Sequence, residues 1–293
     1  MTEPHFRDDL YRDTARDYDR YRPPYPQALV DDLAVRCGAD GTGAMLDLAC
    51  GTGQLSFALH GKFRHIWAVD QEPDMIALVR AKARAEGLAD LRAEVSAAED
   101  LSVPAHSLDL VAVGNAFHRL PRQAVALSAL RWLRPGGYLA LAWGGSPWDG
   151  DSPWQLALSA LMERWRARAQ ALTGDHDRIP TGYDEARLAT SDLDVLRAAG
   201  FELVGRWEYT TPHDWALDEV AGFMRSTSVL SPTALSELAP AFERDLRHEL
   251  ARHAAGGRLP QLISFACELA RSPAPRPATE RRRETRPHAT TAE

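Results

Sequence analysis

The sequence contains few cysteines and no long apolar segment. Its three cysteines, Cys37, Cys50 and Cys267, form neither a C-x-x-C pair nor an even-numbered framework. This pattern argues against a disulfide-rich secreted protein. No segment approaches the roughly 20 consecutive apolar residues that a membrane-spanning helix needs. The N-terminus, MTEPHFRDDLYRD, is too polar for a secretory signal. We therefore expect a cytoplasmic protein with reduced thiols and no membrane partner.

An excess of positive charge is also missing. The formal net charge is −7, and the only dense basic run lies at 281–283. Because nucleic-acid backbones attract basic surfaces, we expect no nucleic-acid partner. The sequence has no G-x-S-x-G motif to indicate a serine hydrolase, and its acids and histidines have no spacing typical of a metal site. The oligomeric state stays open between a monomer and a homodimer.

Short apolar runs alternate with amphipathic segments through the first half of the chain. The predicted strands are 44–50, 64–70, 91–95, 108–113 and 138–143, and predicted helices separate most of them. A further helix and strand at 192–209 and a last strand at 262–270 make seven strands. Strands that alternate with helices are typical of a parallel sheet covered on both faces. The sequence therefore predicts an α/β protein with a doubly wound, mostly parallel, seven-stranded sheet.

Two predicted helical insertions interrupt the later part of this pattern. The predicted division is an N-terminal segment 1–25, a core 26–147, a first cap insertion 148–190, a core helix and strand 191–212, a second helical cap insertion 213–258, a last core strand 259–271 and a tail 272–293. Such insertions can cover the carboxyl ends of the strands, where open α/β sheets bind ligands. The tail is rich in Pro, Arg and Thr, and we expect it to be disordered.

The stretch LDLACGTGQL, residues 46–55, joins the first predicted strand to a helix. Glycines at 51 and 53 permit a sharp turn and a close approach of a ligand. A dinucleotide would favour G-x-G-x-x-G, but Ser56 occupies the third position. Asp47 would repel an anionic pyrophosphate, whereas it would attract a ligand with an ammonium and a sulfonium group. These residues favour S-adenosylmethionine over a dinucleotide.

An acid also ends the second predicted strand. Asp70 follows the run RHIWAV, 17 residues after Gly53. A carboxylate at this point of a nucleotide-binding fold can accept hydrogen bonds from both ribose hydroxyls of an adenosine.

These segments together resemble, in order, the motifs of class I S-adenosylmethionine-dependent methyltransferases. The similar segments are AxxYDRYRPPYP at 15–26, LDLACGTGQL at 46–55, Ala98-Glu99-Asp100-Leu101, LDLVAVGNAFHRL at 108–120 and LRPGGYLALAW at 133–143. The lead-in at 15–26 resembles the small-molecule branch, which includes trans-aconitate-type and ubiquinone-biosynthesis-type enzymes. The chain departs from this pattern at Ala49-Cys50, where glycine is common, and at Arg119, where some members have tryptophan.

The resemblance implies a set of cofactor contacts. The residues that it assigns to S-adenosylmethionine are Tyr18, Arg22, Asp47, Ala49, Gly51, Gly53, Asp70, Gln71, Ala98, Glu99 and Asn115. The N-terminal segment would close over the cofactor as a lid, and Arg22 or Tyr18 would hold its carboxylate. Ala98 and Glu99 would meet the adenine. The backbone carbonyl of Asn115 would meet the ammonium group, while its side chain orients the loop.

His118 is the candidate general base, because by resemblance its loop faces the transferable methyl group. The alternative is a histidine that only packs or hydrogen-bonds the cofactor. The candidate acceptor-binding residues are Trp143, Trp148, His213 and Phe223, since aromatic walls suit a flat or hydrophobic acceptor. The alternative for each tryptophan is an ordinary place in the core.

The expected function is methyl transfer from S-adenosylmethionine to a small molecule, as an O-methyltransferase of secondary metabolism. Two alternatives on the same fold are an N- or C-methyltransferase and a cofactor-binding protein that transfers no methyl group, such as a cyclase or an interaction module. A nicotinamide-dependent oxidoreductase is disfavoured by Asp47 and Ser56.

Overall fold

Seven strands form one sheet in a computed structural model of the chain, which describes Phe6, 9–173 and 189–274. The strands are β1 (Ala44–Leu48), β2 (His65–Asp70), β3 (Leu91–Val95), β4 (Leu108–Gly114), β5 (Leu133–Gly144), β6 (Glu202–Ala216) and β7 (Arg258–Arg271). Their order is β3-β2-β1-β4-β5-β7-β6. β1 to β5 pair in parallel, and β7 runs antiparallel to both β5 and β6. The predicted doubly wound, mostly parallel, seven-stranded sheet is confirmed.

Helices cover both faces of this sheet. They are α1 (Ala15–Tyr21), α2 (Gln27–Arg36), α3 (Gln54–Ala58), α4 (Pro73–Glu86), α5 (Arg122–Trp132), α6 (Pro153–Thr173), α7 (Asp192–Ala199), α8 (Leu217–Arg225), α9 (Pro232–Leu235) and α10 (Ala239–Ala251). Successive side chains of a strand point to opposite faces. Met45 therefore packs in one core cluster with Leu33 of α2, and Leu46 packs in a second with Val125 of α5 and Leu196 of α7.

The last two strands are longer than the sequence predicts. β6 and β7 pair from Glu202↔Arg271 to Ala216↔Arg258, so the strand predicted to end at 209 continues to Ala216. His213, expected in the second insertion, lies on β6 opposite Gln261 of β7. Pro212 lies within this continuation, opposite Leu262 of β7. A proline is tolerated here because β6 is an edge strand and needs hydrogen bonds on one side only.

Part of the predicted organisation lies outside the described residues. This applies to 174–188 of the first insertion and to 275–293 of the tail. Ser272, where the disordered tail was expected to begin, is instead hydrogen-bonded: its N–H donates to the Gly137 carbonyl at 2.8 Å, and its carbonyl accepts from Gly136 at 3.1 Å. In the described ranges, no helix combines the length and the apolar character that crossing a membrane would require.

The N-terminal segment and the second insertion pack against each other. The segment forms a helix, α1, that the sequence reading did not identify. Arg225 of α8 makes a bidentate contact with Asp17 of α1, at 2.9 and 3.1 Å. Tyr21 lies against Gly222, where a Cβ atom would fall 2.2 Å from the ring. The first insertion joins this assembly through Trp165 of α6, whose ring lies 5.7 Å from a phenylalanine of α10.

Asp47 holds the turn between β1 and α3. Its side chain is buried, and its Oδ2 accepts hydrogen bonds from the Ser56 N–H at 2.9 Å and from the Ser56 hydroxyl at 2.6 Å. Burial raises the pKa of Asp47 to about 7, although both bonds from Ser56 oppose the shift. The third position of the incomplete glycine motif is therefore a hydroxyl that stabilises the acid of β1.

We predict that Gly222→Ala destabilises the protein, because the new methyl group would overlap the ring of Tyr21. Overpacking of this kind costs about 1–3 kcal/mol. Chemical denaturation measures the loss in the free energy of unfolding. In a Tyr21→Ala background the clash is absent, and the same substitution should be neutral or stabilise by up to about 1 kcal/mol. An equal loss in both backgrounds would contradict the contact.

We also predict that Asp47 makes stability pH-dependent. With a pKa of about 7 in the folded state and an ordinary pKa of 3.8, Asp47 takes up a proton on folding at pH values between the two. The free energy of unfolding should therefore fall as pH rises from about 4 to 7, relative to Asp47→Asn, which does not titrate. The expected change is about 2–4 kcal/mol. Denaturation of both proteins across this range tests the sign, and parallel pH profiles would show that Asp47 is ionised throughout.

Candidate functional site

A cavity of about 380 Å³ opens at the carboxyl ends of the parallel strands. Its lining includes Gly51 after β1, Asp70 at the end of β2, Ser96 after β3 and Asn115 after β4. These elements are neighbours in the sheet, so their ends converge at one edge. Ligands of open α/β sheets bind at this edge.

The carboxylate of Asp70 joins two strand ends. Its Oδ2 accepts a hydrogen bond from the Gly51 N–H at 2.8 Å, and its Oδ1 accepts one from the Glu72 N–H at 2.9 Å. Burial raises the pKa of Asp70, and the backbone hydrogen bonds oppose that shift. The acid is therefore held in place by the backbone and also borders the cavity.

Two non-glycine residues of the lining have a left-handed backbone. Ala49 has a φ of 54° and Asn115 a φ of 51°. This conformation strains residues with a Cβ atom, which gives a physical reason for glycine being common at the position of Ala49. The Asn115 side chain holds its loop, since Oδ1 accepts from the Gly144 N–H at 2.9 Å.

Most of the predicted cofactor residues meet in this cavity. Eight of the eleven line it: Tyr18, Ala49, Gly51, Asp70, Gln71, Ala98, Glu99 and Asn115. Asp47, Gly53 and Arg22 do not. Asp47 is occupied by Ser56, as described above. Gly53 has a φ of 82° at the start of α3, and a Cβ atom there would lie 2.9 Å from the Phe57 ring. Local folding accounts for both residues, and a contact of either one with the cofactor stays a prediction.

Arg22 connects the lid segment to the end of α8. Its Nε donates to the Ser226 hydroxyl at 2.8 Å, and its Nη2 donates to the Ser226 carbonyl at 3.1 Å. Its guanidinium also lies over the rings of Phe223, at 4.1 Å, and Tyr18, at 4.7 Å. Arg22 therefore contacts the second insertion, and its expected place at the cofactor carboxylate stays a prediction.

Three of the four predicted acceptor residues gather in one aromatic cluster, which consists of Trp148, Phe223, Trp215 and His213. Ring centroids lie 5.6 Å apart for Trp148 and Phe223, 5.7 Å for Phe223 and Trp215, and 4.2 Å for Trp215 and His213. Phe223 is only 1% exposed. None of these residues lines the cavity described above, and acceptor binding by them stays a prediction.

His118 lies next to the cavity, in a 3₁₀ turn over Phe117–Arg119. Its ring is 5.6 Å from that of Trp143, the fourth predicted acceptor residue. Neither residue belongs to the cavity lining, whereas Arg119 does. The role of His118 as a general base therefore stays a prediction.

Residues near the start of the chain also form part of the cavity wall, and the sequence did not identify them as site residues. Phe6, Leu10 and Tyr11 all line it, and the Tyr11 N–H donates to Glu72 Oε1 at 3.2 Å. The ring of Tyr11 meets that of Tyr18 edge-on at 6.1 Å. The sequence assigned 1–25 to the lid but named no cofactor contact before Tyr18, although Phe6 and Tyr11 were available as aromatic signals.

Comparisons with known proteins agree with this architecture. The family model described as a methyltransferase domain matches residues 45–137. An uncharacterised methyltransferase of Mycobacterium tuberculosis strain H37Rv is 33% identical over 147 residues, which are 50% of this chain and 56% of that protein. A trans-aconitate 2-methyltransferase of Mycobacterium sp. strain KMS is 34% identical over 194 residues, which are 62% of this chain and 67% of that protein.

Two further comparisons define the extent of the likeness. The chain covers 57% and 60% of two uncharacterised relatives from Schizosaccharomyces pombe, so it spans a little over half of their length. A solved structure from Anaeromyxobacter dehalogenans, described as a candidate type II methyltransferase, has a TM-score of 0.61 at 21% identity and covers 87% of this chain and 99% of its own. That structure shows the same fold. The ordered motifs, the sheet and the relatives lead to one conclusion: this chain belongs to the class I S-adenosylmethionine-dependent methyltransferases.

Proposed function

We propose that this protein binds S-adenosylmethionine in the cavity at the strand ends and transfers its methyl group to a small-molecule acceptor. The observation that carries this proposal is the convergence of eight predicted cofactor residues, from five separate parts of the chain, on one cavity. Asp70 is the central member, because it both lines the cavity and fixes the Gly51 turn.

The residues of the cavity fit this cofactor. A volume of about 380 Å³ lies within the range of small-molecule sites. Four carboxylates, those of Asp70, Glu72, Glu99 and Asp100, line it in the described part of the chain. They favour a ligand with an ammonium and a sulfonium group and disfavour an anionic pyrophosphate. These four acids, and not Asp47, are therefore the residues that disfavour a nicotinamide dinucleotide in this cavity.

S-adenosylmethionine supplies, when bound, a methyl group that positive sulfur has activated toward a nucleophile. The protein's part is to align the acceptor with that group, to exclude water and to remove a proton where the nucleophile is a hydroxyl. Asp70 would hold the ribose, and the segment with Ala98 and Glu99 would hold the adenine. His118, beside the cavity, is the residue that we assign to proton removal.

We propose a hydroxyl oxygen as the acceptor atom, because it gains most from a base at His118. An amine would need only desolvation and alignment, so an N- or C-methyltransferase is the second candidate. The trans-aconitate 2-methyltransferase relative bears a small organic acid in its name, which supports a small-molecule acceptor. The two insertions, packed together through α6 and α10, support an acceptor of the size of a secondary metabolite.

A cytoplasmic location is part of the proposal. Cys37, Cys50 and Cys267 are all free thiols. Burial raises the pKa of Cys37 and of Cys267 to about 12, so both remain protonated at neutral pH. Unpaired cysteines of this kind are typical of reducing compartments.

We predict that Asp70→Ala weakens binding of S-adenosylhomocysteine by about 30-fold or more, because a carboxylate that accepts ligand hydrogen bonds is lost. Isothermal titration calorimetry measures the dissociation constant. Asp74→Ala is the matched control, since it removes the same charge from an exposed position in the first turn of α4. Unchanged affinity in Asp70→Ala, or tight binding of NADH by the wild-type protein, would overturn the assignment of this cavity.

His118→Ala should slow methyl transfer by about 10²–10⁴-fold if His118 removes the acceptor proton. Binding of S-adenosylhomocysteine should stay within about threefold of wild type, since His118 does not line the cavity. The rate is measured with an acceptor found by screening candidate hydroxyl compounds for a mass gain of one methyl group. His65→Ala, on the exposed start of β2, serves as the control. A His118→Ala protein that loses the cofactor as severely as Asp70→Ala would refute the role of a base.

A further inference from the structure

Arg119 is the only lysine or arginine among the described residues that line the cavity. The other charged side chains in the lining are the four carboxylates of Asp70, Glu72, Glu99 and Asp100. The cavity therefore combines an acidic wall with a single fixed positive charge. A ligand that satisfies both features carries cationic groups and one anionic group.

The guanidinium of Arg119 is placed by uncharged neighbours. Its Nη2 donates to the Ser228 hydroxyl at 3.2 Å. Its Cζ lies 5.4 Å from the ring centroid of Phe6 and 5.2 Å from that of Tyr11. Its Nε is buried and has no hydrogen-bond partner within the described ranges. In the same ranges, no carboxylate forms an ion pair with it.

A buried donor without an acceptor costs free energy, which an anionic ligand can recover when the guanidinium turns toward it. The flat fork of a guanidinium matches the two oxygens of a carboxylate better than any other common anion except phosphate. S-adenosylmethionine carries one carboxylate. We propose that Arg119 binds the α-carboxylate of this cofactor. This inference rests on the proposed function and assigns a residue at which the chain departs from the family pattern.

Arg22, the residue that the sequence assigned to this carboxylate, is already committed elsewhere. Its Nε and Nη2 both donate to Ser226, and it stands outside the lining. The two arginines thus contact neighbouring residues of the second insertion, since Arg119 reaches Ser228. Arg22 attaches the lid to that segment, whereas Arg119 lines the cavity.

The test compares two ligands that differ only in the carboxylate: S-adenosylmethionine and decarboxylated S-adenosylmethionine. Calorimetry gives the dissociation constant of each for the wild type, for Arg119→Met and for Arg22→Met. We expect Arg119→Met to weaken S-adenosylmethionine about 10- to 100-fold, which is the effect of one charge-assisted contact. Decarboxylated S-adenosylmethionine should change by less than about threefold, which also shows that the variant retains a folded site. Arg22→Met should change both ligands by the same factor.

Each other outcome decides against the inference. If Arg119→Met weakens both ligands equally, or neither, Arg119 does not recognise the carboxylate. If the selective loss appears in Arg22→Met instead, the original assignment to Arg22 is restored. If the wild-type protein binds neither ligand, the proposed function itself fails, and this result is distinct from the two preceding ones.

Discussion

The contact on which the site depends is the pair of hydrogen bonds that the backbone donates to Asp70. One oxygen receives the N–H of Gly51, and the other receives the N–H of Glu72. The turn after β1 and the start of α4 are thereby held by one carboxylate. Because the acid is fixed by backbone groups, its position does not depend on a flexible partner side chain. The part of the cavity at Asp70 is therefore preformed, so fewer protein groups have to become ordered when a ligand binds.

A second acid, Asp47, acts close by but in another way. It lies inside β1, and its bonds with Ser56 are part of the protein's own structure. Asp47 is therefore not among the acids that line the cavity, which are Asp70, Glu72, Glu99 and Asp100. The lining acids provide the negative potential that a cationic ligand encounters, while Asp47 stabilises the helix that follows the glycine turn. A carboxylate near a glycine-rich turn can serve the backbone or the ligand, and only the direction of its side chain distinguishes these roles.

The part of the chain that covers the cavity is assembled from distant segments. α1 is attached to α8 by the Arg225–Asp17 pair and by Tyr21 on Gly222. Arg22 and Arg119 add contacts to the residues that follow α8. The N-terminal residues and the second insertion therefore form one continuous cover over the strand ends.

The sequence by itself determined the sheet, the order of the motifs and eight of the residues that line the cavity. Strand and helix periodicity is a local property, and residues such as Gly51, Asp70 and Glu99 occur at strand ends that topology brings together. Tertiary structure decided what local patterns do not encode. It placed Asp47 on Ser56, extended β6 through Pro212 by pairing with β7, and gave Arg119 rather than Arg22 to the cavity. Each of these outcomes depends on which distant atom a side chain or strand edge meets.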